Sequence, residues 1–151
     1  METILKTWKA SRKLYMEFFD KYSLEQLNKV PKGFNNNLIW NIGHIIVTQQ
    51  KLIYKGANLQ GYISDDLFDQ YKSGTKPTAP VSENEANTLK ALLTSLIEKT
   101  EMDVAKDIFV SYNERITGIG FHLESVRDAF ECNNYHEGMH LGYMMGIRKF
   151  V

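Results

Sequence analysis

Two histidines, His136 and His140, stand four residues apart in a C-terminal segment of helical character. At about 100° and 1.5 Å per residue, their side chains lie roughly 40° apart in azimuth and about one turn apart along the axis. Imidazole nitrogens bind divalent transition metals, and such a pair can hold one ion from a single helix face. Two partly exposed or hydrogen-bonded histidines would show the same spacing. The run His136-Glu137-Gly138-Met139-His140 also matches the H-E-x-x-H pattern of metalloproteases. That chemistry is excluded here. Such proteases take a third ligand, usually from downstream, and the eleven residues after His140 include no His, Asp or Glu. Any third ligand must come from upstream.

His44 is the natural candidate, being the only strongly polar side chain between Ile42 and Val47. Its surroundings are apolar nearly all round, so it should be buried, and a buried imidazole needs a partner. A backbone carbonyl or a tyrosine would serve, and so would a metal. Three nitrogen ligands leave coordination positions open for water or substrate, the layout of a catalytic site. Nitrogen donors suit zinc, nickel, copper or iron, so ligand type alone does not choose the metal. His122, among turn residues, reads as a cap or surface histidine. Cys132, one turn before His136, reads as a buried inert thiol. Glu137 points about 100° away from His136 and takes no role at the site, and no general base is apparent.

These residues must be positioned by helices. A first apolar stripe, Ile4, Trp8, Tyr15, Phe18, Phe19 and Tyr22, predicts a helix from about Ile4 to Tyr22. Ser23 and Gln26 form a capping box for a short turn ended by Pro31. The second long helix starts in Asn35-Asn36-Asn37, carries His44 and stops near Gly56. Residues 57–81 are a long connection, expected to hold either function or a short helix. Ser82 and Glu85 form a capping box for a third helix with the stripe Ala86, Leu89, Leu92, Leu93, Leu96 and Ile97. Ile108-Phe109-Val110 and Ile116 to Phe121 suggest a small irregular hairpin around a Ser111–Glu114 turn. The fourth helix runs from about Glu124 to Lys149. Gly138, Gly142 and Gly146 form a stripe on it whose helix-breaking cost asks for close helix approach, in the bundle or across a dimer interface. These features predict an all-α, four-helix bundle over residues 1–151.

The run Asn36-Asn37-Leu38-Ile39-Trp40-Asn41-Ile42-Gly43-His44-Ile45 resembles the second-helix motif of the DinB / YfiT-like superfamily. His136-Glu137-Gly138-Met139-His140-Leu141-Gly142, then Ile147-Arg148-Lys149, resembles its C-terminal signature, and the Phe68–Thr75 stretch and the Ser23–Leu27 turn are similar as well. The resemblance implies a four-helix bundle with an up-down-down-up crossover, often a homodimer. It implies a divalent metal, nickel or zinc, on His44, His136 and His140. Characterised relatives include metal-dependent transferases that use low-molecular-weight thiols such as bacillithiol, mycothiol or glutathione. The implied function is a metal-dependent enzyme activating a thiol or water, a thiol transferase or hydrolase acting on a small-molecule substrate. The alternative is a non-catalytic dimeric binding or stress-associated protein with a vestigial or ligand-binding site. Many members carry Gly-Gln where this chain has Gly142-Tyr143, so Tyr143, three residues after His140, is expected to reshape the site. Trp40, one turn before His44, is expected to line it.

Composition narrows the classes further. With 43% hydrophobic and 24% charged residues, the chain can close one core. Eighteen Lys and Arg balance eighteen Asp and Glu, which argues against a non-specific nucleic-acid binder. One cysteine excludes an internal disulfide. The N-terminal stretch lacks the apolar run of a signal peptide and no segment has 18 consecutive apolar residues, so a cytoplasmic protein with no membrane partner is expected.

Overall fold

In the computed structural model, which describes residues 1–151, the N-terminal stripe forms helix α1 (Glu2–Lys21), burying Trp8, Tyr15 and Phe18 together with Arg12. α2 (Leu24–Asn28) is set by the expected capping box, in which Ser23 and Gln26 exchange side-chain-to-backbone bonds. α3 (Leu38–Gln49) starts at Asn37, whose side-chain oxygen accepts from the Trp40 N–H. Every residue of α3 except Thr48 is buried, as its all-round apolar composition requires. The helix runs on through a π turn (Gln50–Tyr54) and a 3-10 turn (Lys55–Ala57). It stops at Asn58, in the left-handed region with φ 59°, and not at Gly56. Asparagine tolerates that conformation. Gly56 is needed for another reason: a Cβ there would lie 2.6 Å from the Tyr112 ring.

The 57–81 connection holds a short helix, α4 (Asp65–Tyr71), capped by Ser64. α5 (Glu83–Ala105) starts at Ser82, which accepts from the Glu85 N–H. The reciprocal half of the expected box is missing, because the Glu85 carboxylate accepts from the Tyr71 hydroxyl and the Gln70 amide. α6 (Val126–Ile147) begins with a Ser125–Asp128 capping box and ends in a 3-10 turn, Arg148–Phe150.

α1 and α3 each pack against both α5 and α6, which closes the four long helices into a ring. Lys9 pairs with Glu101 and Asp20 with Lys90, so α1 and α5 are antiparallel. Asn41 meets His140 and His44 meets His136, so α3 and α6 are antiparallel too. Gln49 reaches Thr100 and Tyr54 reaches Asp103, so α3 and α5 run in parallel. The directions are therefore up, down, down, up. Two parallel sequential helices need a connection that returns the length of the bundle, which explains the long segment holding α4. The core divides into a larger cluster around Tyr15, Ile42, Leu89 and Met144 and a smaller one around Trp8, Ile53 and Phe130. On each helix, the buried polar residues Arg12, Gln49 and Glu137 fall between the two.

The hairpin is displaced from its expected place. β1 (Arg115–Ile116) pairs antiparallel with β2 (His122–Leu123), Arg115 opposite Leu123 and Ile116 opposite His122. The intervening turn uses Gly120 at φ +86°. Ser111–Glu114 offers no glycine for such a turn, so residues 108–114 form an irregular connection instead. The glycine stripe also reads differently. A Cβ at Gly138, Gly142 or Gly146 would meet nothing within 4 Å, so close packing inside the bundle is not their reason. No helix is long and apolar enough to cross a membrane.

Candidate metal centre

Antiparallel packing of α3 on α6 sets His44 against the His136 and His140 pair. One ligand atom from each ring lies within 4.8 Å of the others. Ring centroids are 5.2 Å apart for His44–His136, 4.8 Å for His44–His140 and 4.5 Å for His136–His140.

Two of the rings are oriented by outer partners. His44 Nδ1 lies 2.7 Å from the Tyr71 carbonyl. A carbonyl only accepts, so Nδ1 carries the proton and Nε2 keeps its lone pair. Trp40 stacks on the same ring at 4.8 Å with planes 8° apart, and its indole N–H donates to Thr75 Oγ1. His140 Nδ1 lies 2.8 Å from Asn41 Oδ1. The Asn41 amide donates to the Asn37 carbonyl at 2.7 Å, which turns its oxygen toward the imidazole. His140 therefore also holds its proton on Nδ1. Metal-binding histidines are commonly oriented this way by a carbonyl or amide oxygen. His136 Nδ1, by contrast, is buried with no partner. An orphaned buried nitrogen costs about 1–3 kcal/mol, and a bound cation would relieve it. The donor set and its outer partners fit a divalent transition metal.

All three rings are held below the ordinary histidine value. Burial pushes His136 down to about 3, with the charges of His140 and His44 adding to it. Burial, then the His44 charge, brings His140 to about 4. At His44, burial lowers the value most, the Tyr71 bond raises it and Lys51 lowers it. The rings are thus neutral at pH 7, the form that ligates metal.

Gly43 makes the arrangement sterically feasible. An added Cβ would lie 2.3–2.6 Å from the Tyr71 ring, whose backbone carbonyl receives His44. Glycine to alanine in a helix normally gains about 1 kcal/mol. Here Tyr71 is buried and tied to Glu85, so the clash should win. Gly43→Ala is expected to cost a net of about 1–3 kcal/mol, read as a lowered urea midpoint. An unchanged or raised midpoint would refute the clash.

A cavity of about 440 Å³ opens beside His44 and His136, walled by Val47, Thr48, Phe68, Cys132 and Met139 among others. Trp40 backs His44 from another side and borders a separate cavity under the 75–81 loop. Tyr143 shares a shallow surface pocket with His140, Asn41 and Met139 and packs edge-on against Phe34. Cys132 is buried in the cavity wall, and burial pushes its thiol pKa up, so it stays protonated. His122 is exposed on β2, bonded to Glu114 at 2.7 Å, as a surface histidine. Glu137 points into the core, away from the cluster. Sequence reasoning passed over Asn41 and Tyr71 as orienting groups. Asn41 was visible as a second polar residue three before His44 on one helical face, whereas the Tyr71 carbonyl has no side-chain signal.

A family model described as the DinB superfamily matches residues 7–144. No curated protein matches the chain.

Proposed function

The chain belongs to the DinB superfamily, and from that premise we propose that it is an enzyme using a divalent metal, nickel or zinc, held by His44, His136 and His140. The reaction is transfer of a low-molecular-weight thiol to a small substrate, with hydrolysis as the related alternative. The observation that carries this reading is the convergence of three neutral imidazoles from two helices, two of them with their Nδ1 protons tied away from the centre.

When bound, such an ion supplies a Lewis acid that lowers the pKa of a thiol or water. The protein's own share is orientation and exclusion of water. The Tyr71 carbonyl and the Asn41 amide oxygen keep protons on Nδ1 of His44 and His140, leaving Nε2 of each ring as the donor atom. Trp40 holds the His44 ring plane by stacking. Val47, Phe68 and Met139 give the adjoining cavity apolar walls. No Asp or Glu lines that cavity, so no carboxylate stands ready to take a proton from water. A thiol needs less help, since it loses its proton far more easily than water does. That difference supports transfer over hydrolysis. The homodimer belongs to the same proposal, with the open glycine edge of α6 as the surface it would use.

The test is metal content by elemental mass spectrometry on tag-free protein, wild type beside His44→Ala and His140→Ala. About one ion per chain is expected in the wild type, with loss in both variants. Wild type that stays metal-free after incubation with nickel and zinc, fold intact, would overturn the proposal.

A further inference from the structure

The chain has no net charge, yet the cavity beside His44 and His136 is lined by Lys51, Lys72 and Arg115 and by no acidic side chain. Lys72 is paired with Asp69 at 2.8 Å. Lys51 and Arg115 have no ion-pair partner. The Arg115 guanidinium lies beside the Tyr112 hydroxyl, and its Nη2 is buried with no well-formed hydrogen bond. Buried donors are nearly always satisfied, and the exceptions ask for an explanation.

The fold aims both cations at this space. Arg115 stands opposite Leu123 in the β1–β2 pair, and paired residues share a sheet face. Leu123 is fully buried, whereas the alternate residue Ile116 is 71% exposed, so Arg115 is on the inward face. Its charge is felt at the Cys132 thiol, one turn before His136. Lys51 lies seven residues after His44, two turns along the same face of α3 and its π-turn continuation, with Thr48 between them. The rest of the wall is largely apolar: Val47, Leu52, Phe68, Ile119 and Met139.

We propose that this cavity recognises an anionic substrate, whose carboxylate or phosphate group is held by Arg115 and Lys51 while a short apolar body reaches toward the three histidines. A guanidinium fork matches both head groups, and about 440 Å³ accommodates a small molecule of this kind. Low-dielectric walls around cations of one sign focus their field on a ligand. The proposal rests on reading the histidine cluster as the reacting end, but the anion site itself needs no metal.

That independence sets the experiment. Metal-stripped full-length protein is titrated with hexanoate, hexyl phosphate and the neutral hexanamide, followed by amide chemical shifts. The two anions should bind at least about tenfold more tightly than hexanamide, and less tightly as salt rises. The tighter of the two identifies the head group. Arg115→Gln and Lys51→Gln should each weaken the anions by about tenfold and leave hexanamide unchanged. Lys51 is exposed at its helix surface, so that variant remains folded even if the hairpin responds to loss of Arg115. Equal binding of anion and amide, absence of binding, or variants that bind as wild type would overturn the proposal. Anion binding that appears only after metal loading and ignores both variants would overturn it too, by assigning the anion to the metal. Anion binding retained in a protein that loads no metal would instead sink the metal reading alone.

Discussion

Glu137→Ala is expected to cost about 3–5 kcal/mol of folding stability, although Glu137 lies between two proposed metal ligands and touches neither. Its side chain is fully buried in the core. The carboxylate accepts from Arg12 Nε at 2.9 Å and Nη2 at 2.8 Å, from the Trp8 indole at 2.7 Å and from Asn133 at 2.9 Å. Arg12 extends the network to the Leu93 carbonyl and to Gln49, and Gln49 passes it to Thr100. One polar layer therefore ties α1, α6, α5 and α3 together. Removing the carboxylate leaves the Arg12 guanidinium buried without a counter-charge, and the cost lies in that stranded charge more than in any lost bond. Against a typical total of about 5–15 kcal/mol, the loss is a large fraction. The double replacement Arg12→Met with Glu137→Leu should recover only part of it, since it removes the stranded charge but leaves the buried Trp8 and Asn133 donors without their acceptor. Chemical denaturation of the two variants beside wild type decides the matter. A loss under about 1 kcal/mol in Glu137→Ala would show that water reaches Arg12 and that the layer is not closed.

This network marks where the sequence could be read and where it could not. The helices were legible because apolar spacing and caps act within a few residues: Ser23, Asn37 and Ser82 each accept the backbone N–H expected of a cap. The three-histidine cluster was legible for a related reason, an i, i+4 pair on one helix and a lone imidazole in an apolar run on another. Arg12 sits four residues after Trp8, on the apolar face, which is a local signal for a buried cation. Its partner is 125 residues away, and only the packing of α1 on α6 selects it. Lys51 and Arg115 come to line one cavity for the same kind of reason: Tyr112 packs on Gly56 and donates to the Leu52 carbonyl, which carries β1 to the turns that continue α3. The hairpin was misplaced because β-branched composition at Ile108–Val110 says nothing about a pairing partner, whereas a left-handed glycine fixes the turn. Likewise the α6 glycines have a helix cost that invites a packing explanation, but the space beside them is open.

Acid should unfold the metal-free protein well before its carboxylates titrate. His136 and His140 are held at about 3 and about 4 in the fold, by burial first and neighbouring imidazole charge second, against 6.5 for the exposed ring. Below 6.5 the unfolded chain takes up protons that the folded chain refuses, so stability falls as pH falls. The contribution is fully present above the unfolded value and is lost progressively toward pH 3–4, where the folded rings also protonate. From pH 7 to pH 5, each of the two rings should account for about 2 kcal/mol of lost stability, and His44, lowered by burial, acts in the same direction. Carboxylates ordinarily titrate below that window, which isolates the histidines. Urea midpoints at pH 7, 6 and 5 measure the slope, and His136→Met should flatten it by the share of one ring. Metal binding should raise the midpoint at every pH in this range and leave the slope nearly unchanged, because the folded rings carry no proton there with or without the ion. A midpoint that stays constant from pH 7 to 5 in metal-free protein would mean that the rings are solvated, and the preorganised neutral cluster on which the metal proposal depends would be lost with it.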